Sequence, residues 1–211
     1  ETGQTLTVTL NGTNYQTTVQ ADGSWSLTLP ASDLTALANN GYTLTASVSA
    51  LAGTPGSSSK GVTVDTTAPV ISFNTVAGDD VINASEKGTD VQITGTSDQP
   101  VNTAITVTLN GQNYTATTDS NGNWSATVPA SAVSALGEAN YTVTANVTDS
   151  AGNSNSASHN VQVNTALPGV TINPVASDDI INAAEAGSAL TLSGTGTNFA
   201  AGTVVTVLLN G

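Results

Sequence analysis

Oxygen-bearing side chains gather in two groups along the sequence. Each group contains an Asp-Asp pair followed by Asn and Glu, and eight of the 15 acidic residues fall within the two groups. The first comprises Asp65, Asp79, Asp80, Asn83 and Glu86, and the second comprises Asp149, Asn153, Asp178, Asp179, Asn182 and Glu185. Crowded carboxylates repel one another unless a cation neutralises them, and hard oxygen donors suit Ca²⁺, which takes about six to eight of them. We therefore predict bound calcium ions.

The two groups differ in detail. The turn that starts at Asp149 has Ala50 at the corresponding position of the earlier repeat, and Asp65 corresponds to Asn164 in the later one. We expect the turn from Asp149 to Asn153 to reach the second group, and we expect the two groups to differ in metal binding. The simpler interpretation, in which the acidic residues only solubilise loops and form turns, stays open.

Both groups belong to a repeat of 99 residues. Leu10-Asn11-Gly12 returns as Leu109-Asn110-Gly111, and Trp25 returns as Trp124. The acidic segment from Gly78 to Glu86 returns as residues 177–185. The chain is therefore part of a tandem array.

Within each repeat the pattern is β. Apolar residues alternate with Thr at period two, and Asn-Gly pairs mark hairpin turns. In the complete repeat the predicted strands cover residues 70–73, 91–95, 105–109, 113–117, 123–128, 141–148 and 157–163. Seven short strands predict an all-β fold of tandem immunoglobulin-like β-sandwiches, with Trp124 in the core and no disulfide, because the chain has no cysteine.

Linkers that end in proline separate the repeats. Residues 65–69 form the first linker and residues 164–168 the second, so neighbouring sandwiches should lie nearly end to end. This division predicts the later part of one repeat in residues 1–64, a complete repeat in 65–163 and the start of another in 164–211. We expect neither partial repeat to be stable alone; a longer parent chain, or completion of one molecule's fragment by another's, would supply the missing strands.

Composition excludes several classes of partner. The net charge is −13, with two lysines and no arginine, which disfavours nucleic acid and anionic lipid. No apolar run is long enough to insert in a membrane. The first residues lack the layout of a signal peptide, so the address of a secreted protein would lie elsewhere in a longer chain.

An enzyme is not expected. Adjacent carboxylates such as Asp79 and Asp80 lack the facing geometry of a glycosidase, and His159 is the only histidine. We expect His159 to be a surface residue on the last strand. The alternative function is a carbohydrate-binding, lectin-like module that contacts host or biofilm glycans, although the repeated aromatic residues suit a core better.

Four segments resemble a known family. Residues 62–71, 77–84, 107–111 and 147–153 are similar to the bacterial immunoglobulin-like repeats of giant surface adhesins exported by type I secretion, including biofilm-associated proteins. The resemblance implies an extracellular, cell-surface stalk in which Ca²⁺ at the junctions between neighbouring repeats of the same chain stiffens a rod. Such a stalk would support adhesion to host cells or biofilm formation, and so virulence. The two groups of residues above are the ligands it implies.

Overall fold

The chain folds into β-strands joined by short turns. The computed structural model describes residues 2–49, 55–199 and 202–209, and in these ranges the all-β prediction is confirmed. The residues form two compact units. Unit 1 contains Glu1–Val70 and Thr148–Asn155, and unit 2 contains Ile71–Val147 and Ser156–Gly211. The expected departure at Ala50 lies outside the described residues.

The helical content is small. Two short helices, α1 (Ala31–Thr35) and α2 (Ala130–Ser134), each follow a proline, and one 3-10 turn covers Val175–Ser177. In the described ranges, no helix has the length and apolar character needed to cross a bilayer. The strands are β1 (Thr5–Leu10), β2 (Thr13–Thr18), β3 (Asn40–Val48), β4 (Gly56–Val64), β5 (Ile71–Phe73), β6 (Val81–Ile82), β7 (Val91–Ser97), β8 (Ala104–Leu109), β9 (Gln112–Thr117), β10 (Asn123–Val128), β11 (Ala139–Thr148), β12 (Ser154–Val163), β13 (Gly169–Ile172) and β14 (Gly194–Thr197).

Unit 2 contains both sheets of a sandwich. One has the order β10-β7-β5 and the other β6-β12-β11-β8-β9. All seven strands predicted from the sequence are present, with bounds that differ by no more than three residues. The immunoglobulin-like prediction is thereby confirmed, because the strands divide between two sheets in the manner of that fold.

One strand lies where the sequence indicates only a loop. Val81 and Ile82 form β6, which pairs in parallel with Gln162 and Val163 of β12. Ile82 is almost completely buried, so this pair of apolar residues anchors the acidic segment to the core. The chain therefore begins the sandwich in one sheet as β5 and crosses to the other as β6.

The core is apolar and is centred on an aromatic pair. The ring of Trp124 is 2% exposed and meets Phe73 edge to face, with centroids 5.3 Å apart. Gly95 pairs with both residues across the sheet. The buried side chains include Ile82, Val91, Ile93, Ile105, Val107, Ala126, Val128, Val133, Val143, Ala145, Val161 and Val163.

Unit 1 contains one four-stranded sheet with the order β2-β1-β3-β4. Asn11 and Gly12 both have positive φ, as do Asn110 and Gly111 in the next repeat, which confirms the predicted hairpin turns. Trp25, the counterpart of Trp124, is 44% exposed. Among the described residues, this tryptophan is therefore buried in the complete sandwich of unit 2 and exposed in unit 1.

Substituting Gly95 by Ala should destabilise unit 2. A Cβ there would lie 1.9 Å from the carbonyl oxygen of Ser72 and 2.5 Å from the Trp124 ring, so backbone and core must both shift. We expect a loss of about 1–3 kcal/mol in the free energy of unfolding. Urea denaturation followed by Trp124 fluorescence in a Trp25→Phe background measures it. Gly88→Ala, where no atom lies within 4 Å of the new Cβ, is the matched control; equal losses in both variants would contradict this packing.

Candidate functional site

The turn between β11 and β12 is organised by one carboxylate. Asp149 Oδ1 accepts the backbone N–H groups of Ala151 and Asn153, at 2.9 and 2.8 Å. Asp149 Oδ2 accepts the Asn153 side-chain amide at 2.8 Å. The Asn153 side chain, together with the backbone N–H groups of the turn, holds the pKa of Asp149 below its usual value. Gly152 supplies the positive φ that closes the turn.

This turn lies against the first linker, within unit 1. The Asn153 Nδ2 group donates to the backbone carbonyl of Asp65 at 3.2 Å, and Asn155 Nδ2 donates to that of Pro69 at 2.8 Å. The turn that the sequence places with the second group therefore makes these bonds to the first linker, and its reach to the second group stays a prediction. The turn opens β12, whose ten residues extend about 33 Å before the second linker starts.

A second turn of the same sequence type serves as an internal comparison. Asp119 and Asn123 make the same bonds, with Asp119 Oδ1 accepting the N–H groups of Asn121 and Asn123 at 2.7 and 2.9 Å. The Asn123 side-chain amide again donates to the carboxylate, at 3.2 Å. The two turns share their internal geometry, and the bond from Asn153 to the linker carbonyl distinguishes one from the other.

Asp80 is bound into the bend between β5 and β6. Its Oδ1 accepts the N–H of Val76 at 2.8 Å, while its own N–H donates to the Val76 carbonyl at 2.8 Å. Asp80 has a φ of 65°, a left-handed conformation that Asp tolerates better than most residues. Asp80 Oδ1 also meets His159 Nε2 at 2.6 Å. The His159 hydrogen bond, followed by the Val76 N–H, lowers the pKa of Asp80.

The other side chains of the acidic segment also hold backbone. Asp79 Oδ1 accepts the N–H of Val81 at 3.0 Å. Asn83 Oδ1 accepts the N–H of Glu86 at 3.3 Å, and Glu86 Oε2 accepts the N–H of Asn83 at 3.0 Å. This reciprocal pair is a capping box around one helical turn. The same bonds recur in the next repeat at Asp178, Asp179, Asn182 and Glu185.

The acidic segment lies beside the end of β12 that leads into the second linker. Gln162 N–H donates to the Asp80 carbonyl at 2.9 Å, and Asn164 N–H donates to the Ile82 carbonyl at 3.0 Å. The contacts of the Asp79 to Glu86 segment described here are thus with its own bend and with the end of β12, and its grouping with Asp65 stays a prediction. Across the described ranges, no three Asp, Glu or His side chains converge into a metal-binding group.

Each linker is also held by the residue just before β3 or β11. Asn39 Oδ1 accepts the N–H and hydroxyl of Thr66, at 3.0 and 2.8 Å. In the next repeat the Glu138 carboxylate accepts the N–H of Thr165 at 3.1 Å and also its hydroxyl. Neither Asn39 nor Glu138 is among the residues that the sequence indicates as functional. The signal was available in the repeat, where the two occupy equivalent positions 99 residues apart.

His159 has a structural partner. Its side chain is 26% exposed, pairs with Asp80 and stacks on Phe73 with centroids 5.5 Å apart. The 99-residue offset places Lys60 at the same position of the preceding repeat. A basic residue at this position of the last strand is therefore a repeated feature, and the histidine holds the bend at Asp80.

Trp25 of unit 1 is 44% exposed, but the described aromatic residues of the complete sandwich in unit 2 do not form an exposed platform for sugars. A cleft of about 700 Å³ lies beside Trp124 and is lined by polar residues of β9 and β10, but the Trp124 ring is buried. Tyr114 and Tyr141 are half-buried and pack against the core. No second function is drawn from this cleft, since stacking on a sugar needs an accessible ring face.

Glu86 offers a test that separates the backbone role from a role in metal binding. In chelator, Glu86→Ala should lower the free energy of unfolding by about 1 kcal/mol, because it removes the capping acceptor. Glu86→Gln keeps an acceptor oxygen and should stay close to the parent protein. Thermal unfolding of both variants measures the difference. An equal loss for the two would show that the charge of Glu86, and not its capping bond, stabilises the turn.

Comparisons with known proteins give a consistent assignment. A family model described as a bacterial Ig-like domain matches residues 1–66 and 68–165. A solved adhesin of an Antarctic bacterium, described as Ca²⁺-stabilized and as helping the cell reach out and bind ice, is 34% identical, with 94% of this chain and 49% of that chain covered and a TM-score of 0.49.

Two further solved structures are similar. A 1.5-MDa bacterial ice-binding adhesin is 30% identical over 92% of this chain and 64% of its own, with a TM-score of 0.48. A tetra-tandem repeat from the extending region of a large adhesion protein is 26% identical over 93% and 49%, with a TM-score of 0.40. The chain thus spans about half to two thirds of these relatives. A comparison with curated proteins gives no match.

The family match covers the greater part of the chain, and unit 2 has the two β-sheets of an immunoglobulin-like sandwich. The chain therefore belongs to the family of bacterial Ig-like domains.

Proposed function

We propose that the chain is an extender segment in the stalk of a bacterial surface adhesin, located outside the cell, in which Ca²⁺ at the linkers stiffens the row of Ig-like domains. Support comes from the 99-residue tandem repeat and from linkers of only a few residues. Two solved relatives are described as a Ca²⁺-stabilized adhesin and as a tetra-tandem repeat in the extending region of a large adhesion protein.

The observation that carries the proposal is the position of the Asp149 turn on the first linker. The Asn153 side-chain nitrogen lies 3.2 Å from the Asp65 carbonyl oxygen and 2.8 Å from Asp149 Oδ2. One amide group therefore joins a linker carbonyl to a carboxylate of the adjacent turn. A stalk that resists bending needs such a connection at its linkers, since an unrestrained linker would act as a hinge.

The same residues suit a hard divalent cation. Carbonyl, carboxylate and amide oxygens are the donors that Ca²⁺ prefers, and its usual ligand distance is about 2.3–2.6 Å. Two such oxygens already lie near the Asn153 amide, whose own oxygen becomes a third donor if the amide turns over. Asp65, Asp149 and Asn153 are the ligands we assign to this site, with water completing the coordination. The ion would supply the positive charge that joins the first linker to the Asp149 turn.

The acidic segments form a separate candidate set. Asp79, Asp80, Asn83 and Glu86, and likewise Asp178, Asp179, Asn182 and Glu185, each use a side-chain oxygen to hold backbone. We propose that they bind calcium more weakly than the linker site. Their hydrogen bonds already organise the turn, so a cation is not needed to relieve an unsatisfied carboxylate.

Calcium should bind in a way that calorimetry detects, and it should change the distribution of interatomic distances in the chain. We expect calorimetry to detect a site with a dissociation constant of about 0.1–1 mM, typical of extracellular modules. Solution scattering should show a narrower, longer distance distribution in calcium than in chelator. Asp149→Asn should weaken this site about tenfold or more, since it removes one charged ligand while its amide oxygen keeps the turn.

Asp119→Asn is the matched control, because it alters the same turn type away from the linker carbonyl. It should leave the calcium isotherm within about twofold of the parent. Scattering profiles that coincide in calcium and in chelator would overturn the proposed stiffening. Equal effects of the two substitutions would remove Asp149 from the site.

A further inference from the structure

The two linkers begin with one pattern of hydrogen bonds built from different residues. In both, the side chain just before the long strand β3 or β11 accepts the N–H and hydroxyl of the linker threonine, Thr66 or Thr165. The side chain of the residue that begins each linker then accepts a backbone N–H from two positions further along. Asp65 Oδ1 accepts the N–H of Thr67 at 3.0 Å, and Asn164 Oδ1 accepts the N–H of Ala166 at 3.2 Å.

The chemistry of these two positions is exchanged between the repeats. The first linker combines Asn39 with Asp65, and the second combines Glu138 with Asn164. Each linker therefore has one carboxylate and one amide, in opposite places. In the first linker the amide also turns toward the acid, because Asn39 Nδ2 donates to Thr67 Oγ1 at 2.5 Å and to Asp65 Oδ1 at 3.4 Å.

Electrostatics favours a reciprocal exchange. In the first linker the two side chains approach to 3.4 Å, so a second carboxylate in place of Asn39 would repel Asp65. An amide beside a carboxylate removes that repulsion and keeps the acceptor oxygen. Asn164 is thus the complement of Glu138, and the second linker has kept its carboxylate at another position.

We propose that Asn39 and Glu138 are linker-positioning residues. Each forms a pair with the residue that begins its linker, Asp65 or Asn164, and each pair contains one carboxylate and one amide. This pair, which we name the linker clasp, fixes the backbone as the chain leaves a sandwich. The clasp rests on the proposed stalk function for its purpose, but its hydrogen bonds need no metal. It gives each linker a restraint that persists in the absence of calcium.

The second clasp responds to acid through Glu138. The hydroxyl and N–H of Thr165 lower the pKa of Glu138, and the charge of Lys87 lowers it further. Lys87 is the charged group that faces Glu138 from the turn after β6. A lowered folded-state pKa means that the clasp is intact above the ordinary glutamate value and is lost as the pH falls through the lower value.

A double-mutant cycle on the full chain in chelator tests the pairing. The variants are Glu138→Asn, Asn164→Asp and the two together, which rebuild the pair of the first linker. Hydrogen exchange of the Thr165 amide is the readout. We expect each single substitution to speed exchange about fivefold, the factor that one net hydrogen bond supports. The double variant should return to within about twofold of the parent.

Glu138→Gln is the conservative control. It keeps an acceptor oxygen, so exchange at neutral pH should stay within about twofold of the parent, while the acid-dependent shift of the Thr165 amide resonance should vanish. A double variant that exchanges as fast as the two single effects multiplied would overturn the pairing. Because the cycle is run without calcium, it can fail while the calcium-dependent scattering succeeds, and the reverse also holds.

Discussion

The polar backbone of a short, exposed linker must find partners, and the side chains that supply them organise much of this chain. Six residues separate β4 from β5, too few to form secondary structure of their own. Asn39 holds the N–H of Thr66, and the amides of Asn153 and Asn155 hold the carbonyls of Asp65 and Pro69. Because unpaired backbone groups are costly, these bonds restrict the directions that the linker can take.

The same requirement accounts for the repeated acidic segment. A strand that changes sheets within a few residues must bend sharply, and the bend leaves N–H groups without strand partners. Asp79, Asp80 and Glu86 accept three of them, and Asp80 also tolerates the left-handed backbone at that point. Recurrence of these acids in register is therefore explained by folding before any cation is considered. The turn at Asp149 is different, because it connects its carboxylate to a linker carbonyl.

Much of the fold could be predicted from sequence because it follows from local pattern. The Thr-rich alternation and the Asn-Gly turns depend on neighbours within a few residues, and the size of a tryptophan side chain favours a core position. The grouping of the candidate ligands could not be predicted in this way. Asp65 and Glu86 are close in sequence, yet Asp65 contacts the Asp149 turn at one end of β12, while the segment of Glu86 follows β6 at the other. Only the parallel pairing of Val81 and Ile82, too short a strand to leave a periodic signal, reveals that arrangement. Glu138 could not be predicted for another reason. The repeat aligns it with Asn39, but its role depends on a contact with Thr165 that the sequence does not show.

Anomalous diffraction from crystals grown with calcium would locate the ion among individual oxygen atoms and so decide whether calcium binds at the first linker. We predict a peak about 2.3–2.6 Å from the Asp65 carbonyl and the Asp149 carboxylate, with the Asn153 amide turned to present its oxygen. A peak confined to the acidic segments, or none while the Asn153 nitrogen still donates to Asp65, would contradict a calcium-stiffened linker.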